Sequence, residues 1–217
     1  MLGLALAAPF LALPGATRAQ PAEAPRPIRI IAFGDSLTAG YGLAAADGFA
    51  PQLERALKAR GHTLTVINAG VSGDTTTTGL QRLDWAIPAG AEAVIVELGA
   101  NDALRGADPA RARANLDEIV KRIKAKGAEV LIAGMQAPRN LGEAYVAAFD
   151  SIYPELAMTH GTLLYPFFLE GVAMRPELNL PDGIHPTAAG IAVIVAGILP
   201  KAEALIARVE ARRIRGG

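Results

Sequence analysis

From Ile28 onward, short β-branched apolar runs alternate with longer stretches whose apolar residues fall at helical spacing, and this alternation restricts the fold more than any other feature. Five runs are expected to be strands: Ile28–Phe33, Leu64–Asn68, Ala93–Leu98, Glu129–Ala133 and Thr162–Tyr165. Their near-continuous hydrophobicity suits parallel strands, because each parallel neighbour is reached by a crossover that lays a helix on the sheet and buries both faces. The expected fold is therefore α/β, a three-layer α/β/α sandwich around a five-stranded parallel sheet. Between the third and fourth runs, Asp108 is placed to cap a helix, Pro109 fits its first turn, Leu116, Ile119, Val120 and Ile123 share a face, and Gly127 ends it. Phe49, Leu53, Ala56 and Leu57 repeat the pattern before Gly61, and Tyr145, Ala148, Phe149 and Ile152 repeat it before Pro154. A last helix is expected from about Thr187, its apolar run Ala188–Leu199 ending at Pro200, buried rather than membrane-spanning. Arg208–Arg215 is expected to be a solvated, fraying terminus.

With 217 residues, 51% of them apolar, the chain fills one domain, expected over residues 28–217. Lysine plus arginine equals aspartate plus glutamate at 21 each, so no long-range field draws nucleic acid or an anionic membrane, and neither is an expected partner. The absence of cysteine excludes a disulfide, a thiolate nucleophile and a sulfur-ligated metal. Leu2–Leu13 is almost wholly apolar and is followed by Pro14-Gly15 and Ala16-Thr17-Arg18-Ala19, so residues 1–19 are expected to be a secretory signal peptide. The run is shorter than the roughly 20 residues a membrane span needs. No lysine or arginine precedes Arg18, and a start site farther upstream would supply the missing basic segment. Residues 20–27, with three prolines, are expected to be a flexible lead.

The first apolar run stops at Gly34-Asp35-Ser36-Leu37, which puts a hydroxyl at the carboxyl end of a strand, where open α/β sheets keep their ligands. A serine becomes a nucleophile when a base takes its proton, an acid orients the base and donors meet the developing oxyanion. His185 is the candidate base. The other two histidines, His62 after Gly61 and His160 before Gly161, read as surface turn residues. Asp182, in Pro181-Asp182-Gly183-Ile184-His185-Pro186, can orient the imidazole if that loop folds back, which Gly183 and the flanking prolines allow. Asn68–Asp74 follows the second strand and Gly99-Ala100-Asn101-Asp102 the third, on the same edge. A glycine lets a backbone N–H approach a ligand, and an asparagine amide is a neutral donor. Singly, these segments read as a helix cap and a turn; jointly with Ser36 and His185 they read as a site.

Gly34-Asp35-Ser36-Leu37, Gly73, Gly99-Ala100-Asn101-Asp102 and Asp182-Gly183-Ile184-His185 resemble the four ordered blocks of the SGNH (GDSL) hydrolase family, over about Ile28–Leu199. The likeness is closest to its periplasmic thioesterase/arylesterase/lysophospholipase branch, whose blocks are similar to Asn68–Leu83, Leu98–Gly106 and Tyr165-Pro166-Phe167-Phe168. The resemblance implies a flavodoxin-like sheet and a monomeric periplasmic serine ester hydrolase without metal or cofactor. Its substrates would be small acyl esters or thioesters, lysophospholipids among them, cleaved through an acyl-enzyme. It implies Ser36 as nucleophile, His185 as base and Asp182 as orienting acid, with the N–H groups of Ser36 and Gly73 and the Asn101 amide as oxyanion hole. Asp35 and Asp102 are expected to brace loops. Ala100 stands where many relatives have glycine, and its methyl is expected to narrow the space beside Asn101. Met135–Leu141, Tyr165–Met174 and the Thr75–Leu80 loop are the expected walls of an acyl groove. Two alternatives stand beside this reading: a carbohydrate acetylesterase and a non-catalytic acyl-lipid or glycan binding module.

Overall fold

The apolar runs pair as one parallel sheet of β1 (Ile28–Gly34), β2 (Leu64–Gly70), β3 (Ala93–Glu97), β4 (Glu129–Ala133) and β5 (Leu163–Tyr165). Their spatial order is β2-β1-β3-β4-β5. The order reverses at β1 and β3, and in such sheets the diverging connections open a crevice past the carboxyl ends of those two strands. Gly34 lies level with Gly70 on one side and Glu97 on the other, so the three strand ends reach that crevice together. The computed structural model describes Arg26–Gly216 together with Gly3; the expected signal segment 1–19 and most of the lead 20–27 lie outside the described residues.

Eight α-helices occur among the described residues: α1 (Ser36–Ala39), α2 (Phe49–Ala59), α3 (Thr76–Ala86), α4 (Ala100–Leu104), α5 (Pro109–Ala125), α6 (Glu143–Asp150), α7 (Ile152–His160) and α8 (Ala188–Gly216). α2 and α8 pack together on one face of the sheet, and α3, α5 and α7 cover the other. β3 is buried throughout, whereas β2 alternates, with Leu64 and Val66 buried and Thr65 and Ile67 exposed. Burial on both faces, expected for every strand, therefore fails at β2, whose alternation is that of an edge strand with one solvated face. Phe33, Phe49, Phe149, Tyr153 and Phe168 are fully buried, and the Phe49 ring meets Phe168 edge-on at 5.0 Å. α5 forms as its sequence suggests: the Asp108 carboxylate accepts the Ala110 N–H at 2.9 Å, Pro109 sits in the first turn, and Gly127 follows the end at φ 82°.

Three expectations need correction. Pro154 does not end a helix; it lies in the first turn of α7, where its missing N–H has no helical acceptor to lose, and α6 stops just before. Pro200 does not end α8, which runs on to Gly216. Pro200 lies on the exposed face, while Ile194, Val195 and Ile198 before it and Ala202, Leu205, Ile206 and Val209 after it form one continuous buried stripe. Packing of that stripe on the sheet outweighs the roughly 3 kcal/mol that an interior proline costs. Arg208–Arg215 is docked rather than fraying. Arg213 grips the Glu92 carboxylate with Nε and Nη2, both at 2.7 Å, and donates from Nη1 to the Arg26 carbonyl at 2.9 Å, while Arg208 reaches the Gly161 carbonyl at 2.8 Å.

Candidate active site

Ser36 opens α1 directly after β1, and Asp35 caps that helix by accepting the Leu37 N–H at 3.0 Å. Gly34 is required by a close approach: a Cβ there would lie 2.2 Å from the Thr38 hydroxyl and 2.6 Å from Glu97 Oε2. Ser36 is thus presented at the end of β1 by a turn into which no larger residue fits.

The segment carrying His185 comes from the far end of the chain and folds back as the sequence required. Asn179 pairs with Pro186 in an antiparallel bridge, the Leu180 N–H donates to the His185 carbonyl at 2.7 Å, and the Thr187 N–H donates to the Leu178 carbonyl at 2.9 Å. The Asn179 amide anchors this hairpin to the Val172 and Arg175 carbonyls, each at 2.8 Å. Within it, Asp182 Oδ1 accepts the N–H groups of Ile184 and His185, each at 3.0 Å, and Oδ2 meets His185 Nδ1 at 2.8 Å. These bonds, led by the Ile184 N–H and the His185 side chain, lower the Asp182 carboxyl to about 2. An ionised Asp182 holds the imidazole proton on Nδ1, which leaves Nε2 as an acceptor facing Ser36 Oγ at 2.9 Å. The Tyr41 ring lies 4.5 Å from the imidazole, tilted by 36°.

Gly73 and Asn101 complete the arrangement. Gly73 follows β2 at φ 86°, a backbone that side-chain-bearing residues adopt at a cost, and among the described residues its N–H and that of Ser36 meet no backbone acceptor. The loop is held from beneath by Arg82, buried on α3, which pairs with Asp74 and donates to the Gly34 carbonyl at 2.9 Å. The Asn101 amide, in the first turn of α4, donates to the Asp74 carbonyl at 2.9 Å and to Asp35 Oδ2 at 3.2 Å; both partners are acceptors, which fixes the nitrogen on that side. An oxyanion arriving here would draw on the longer of those two bonds. Asp102 braces α3 against α4 by accepting the Thr76 N–H at 2.8 Å and its hydroxyl at 2.7 Å.

Beneath Ser36 lie two buried carboxyls, Asp35 and Glu97. Burial raises Asp35 to about 6, against the opposing hydrogen bonds of Leu37, Glu97 and Asn101 and the charge of His185. Burial, and then the charge of Asp35, push Glu97 well above the ordinary carboxyl range. Two adjacent buried carboxyls do not both ionise readily, so the pair keeps a proton near neutrality, held mainly at Glu97.

A cavity of about 600 Å³ opens onto Ser36, Gly73, Asn101 and His185. Its apolar wall includes Leu104, Met135, Ala137, Phe167, Leu169 and Met174, with Ala100 beside Asn101. Met135–Leu141 and Tyr165–Met174 supply that wall as expected; Thr75–Leu80 does not. Thr75 and Thr78 form a reciprocal capping box that starts α3 there, and Ser72 and Gly73 line the cavity instead. Arg139 reaches the rim with its charge already matched by Asp150 at 2.6 Å and Gln136 Oε1 at 2.7 Å. The other two histidines lie elsewhere. His62 stands 3.9 Å from Glu203, and His160 is no turn residue but ends α7, nearly buried, with Nε2 2.7 Å from Asp117. Sequence reasoning missed Tyr41, Arg82, Leu104 and Glu97. Arg82 and Leu104 lay inside the blocks Asn68–Leu83 and Leu98–Gly106 without being singled out, and the only signal for Tyr41 and Glu97 was a place within a few residues of a block.

Known proteins resemble this chain over most of its length. The chain is 38% identical over 178 residues to a Pseudomonas aeruginosa protein named esterase TesA, covering 82% of this chain and 89% of that one. It is 39% identical over 158 residues to an Escherichia coli protein named thioesterase 1/protease 1/lysophospholipase L1, covering 72% and 74%. The crystal structure of AlinE4, described as an SGNH-hydrolase family esterase, superposes with a TM-score of 0.71 at 46% identity, covering 83% of this chain and 97% of that one. The profile of the GDSL-like lipase/acylhydrolase family matches residues 32–193, most of the described sheet together with all four blocks, and the chain belongs to that family.

Proposed function

We propose that this serine ester hydrolase cleaves acyl esters and thioesters with Ser36 as nucleophile, His185 as general base and acid, and Asp182 as the group that orients and charges the imidazole. Ser36 Oγ attacks the carbonyl carbon while its proton passes to His185 Nε2. The carbonyl oxygen becomes an oxyanion that takes N–H groups from Ser36, Gly73 and Asn101; such a donor is typically worth about 2.7–4 kcal/mol in the transition state. Collapse breaks the bond to the alcohol or thiol, which leaves with the proton from His185. Water then attacks the acyl-enzyme by the same route, releasing the acid and restoring Ser36. The observation that carries the reading is the continuous relay from Asp182 through His185 to Ser36, at 2.8 and 2.9 Å, ending at an apolar cavity.

The cavity wall supports an acyl chain as the part of the substrate it holds, and the thioesterase and lysophospholipase names of the Escherichia coli relative support thioesters and lysophospholipids as members of the class. The proposal extends to a monomeric enzyme, unanchored and periplasmic, with domain 28–217 exported by residues 1–19; the apolar run Leu2–Leu13 and the small residues before Gln20 support the export.

A series of p-nitrophenyl esters and acyl thioesters from two to sixteen carbons tests the substrate class. Each buried methylene is worth about 0.8 kcal/mol, so kcat/KM is expected to climb about fourfold per methylene until the cavity is full. A maximum at the acetyl ester with a steady fall thereafter would contradict the acyl groove and favour the acetylesterase alternative.

A further inference from the structure

Asp35 and Glu97 are both fully buried acids outside the relay; Asp35 caps α1, and Glu97 is left without a task. It is the last residue of β3, level with Gly34, and none of its surface is exposed. Its Oε2 accepts the Thr38 hydroxyl at 2.8 Å and the Asp35 N–H at 3.4 Å. Both donors flank Ser36, and the space its carboxyl occupies is the space that the motif's Gly34 leaves open. Asp35 in turn holds the Asn101 amide at 3.2 Å. Glu97 therefore touches the turn that presents the nucleophile on one side and, through Asp35, the oxyanion donor on the other. The sheet reverses its order between these two halves of the site.

The charge state matters as much as the reach. An oxyanion develops beside Asn101, and a full negative charge on Asp35 would oppose it and compete for the amide. A neutral acid donating to Asp35 weakens that charge without removing the acceptor that presets the amide. Resting on the serine-esterase reading, we propose that Glu97 is a positioning residue of the oxyanion hole: its carboxyl ties the Ser36 turn to β3 and steadies Asp35, so that the Asn101 amide is aligned in the resting site and released to the oxyanion.

Glu97→Gln keeps an acceptor for Thr38 and a neutral donor for Asp35, whereas Glu97→Leu keeps the volume and removes both. On one p-nitrophenyl ester, Glu97→Gln is expected to retain at least about a third of the wild-type kcat. Glu97→Leu is expected to lose at least about tenfold in kcat with KM within about twofold, the pattern of an interaction made only in the transition state. Binding of a trifluoromethyl ketone, which forms the oxyanion adduct, should weaken by the same factor in Glu97→Leu, with the binding of an unreactive ether analogue of the ester unchanged. If Glu97→Leu does not fold, Thr38→Val decides, with a loss of about three- to tenfold in kcat expected. The proposal is overturned by a folded Glu97→Leu with kcat within about twofold of wild type, by a loss confined to KM, by Glu97→Gln as impaired as Glu97→Leu, or by an unaffected Thr38→Val where that variant decides. Wild-type protein that takes no fluorophosphonate on Ser36 would remove the esterase reading itself, and this proposal with it. Labelled wild type with an indifferent Glu97→Leu removes this proposal alone.

Discussion

Asp182 and the Asp35–Glu97 pair respond to protons in opposite senses, and the difference comes from where each carboxyl sits. Asp182 is exposed and bonded to two N–H groups, so its carboxyl, held at about 2, stays ionised wherever the enzyme would work. The stability its bonds contribute is present above the ordinary aspartate value and is lost only as pH falls toward 2. Asp35 and Glu97 are raised, so the folded chain keeps protons that the unfolded chain releases near pH 4. Stability from this pair is therefore fully present below about pH 4 and is lost progressively as pH rises, through about 6 for Asp35 and to higher pH for Glu97. Glu97→Gln removes the Glu97 share of that dependence. Its Tm relative to wild type is expected to rise by more than about 3 °C between pH 4 and pH 8, since 1 kcal/mol moves Tm by about 2–4 °C at this size. A difference that stays constant across that range would contradict the raised carboxyl. Ser36 and His185 were legible in the sequence because serine and histidine are rare in this chain, and Asp182 because it stands three residues before His185 in one loop, where its carboxylate meets His185 Nδ1. Glu97 was not, because a glutamate inside the expected strand Ala93–Leu98 belongs to no local pattern that marks it. Only the register with Gly34 shows that it points beneath the nucleophile.

The helices that sequence periodicity revealed are the long ones, and the site uses the short ones. α2 and α5 carry several turns of apolar spacing, and α5 its own Asp108 cap, whereas α1 and α4 have four and five residues, less than two turns, and no period to detect. They carry Ser36 and Asn101, and what holds them is a local cap by Asp35 at the start of α1 and a tertiary contact, the Asp102 bond to Thr76 that fixes α4 to α3. α8 shows the opposite error. Pro200 is a strong local stop signal, and burial on both sides of it overrides that signal. The end of α8 is then fastened by the forked Arg213–Glu92 pair, which joins the last helix to the segment before β3. Such partly exposed pairs are worth about 1 kcal/mol at most. Arg213→Ala is accordingly expected to lower Tm by about 2–4 °C, read by calorimetry, with kcat unchanged. A drop in kcat at constant Tm would contradict the structural role given to that end of the chain.

At the scale of the whole molecule, the five strands were placed in the sequence to within two residues at each end, because buried parallel strands are short, apolar and bounded by glycine or polar residues. The order of those strands was not visible in any one segment, since it depends on which edges pair; only the family resemblance, with its flavodoxin-like sheet, implied it. That order is what makes a site from residues 36, 73, 101 and 185. It brings the ends of β1, β2 and β3 together at the reversal, and the hairpin before α8 lowers His185 onto them. The most direct test of the account is intact-protein mass spectrometry after treatment with a fluorophosphonate, with hydrolysis of a p-nitrophenyl ester followed on the same samples. Wild type is expected to gain a single adduct on Ser36 and lose its activity in step, while Ser36→Ala gains none and hydrolyses the ester at least about 10⁴-fold more slowly. An adduct on another residue, or Ser36→Ala hydrolysis equal to wild type, would contradict it.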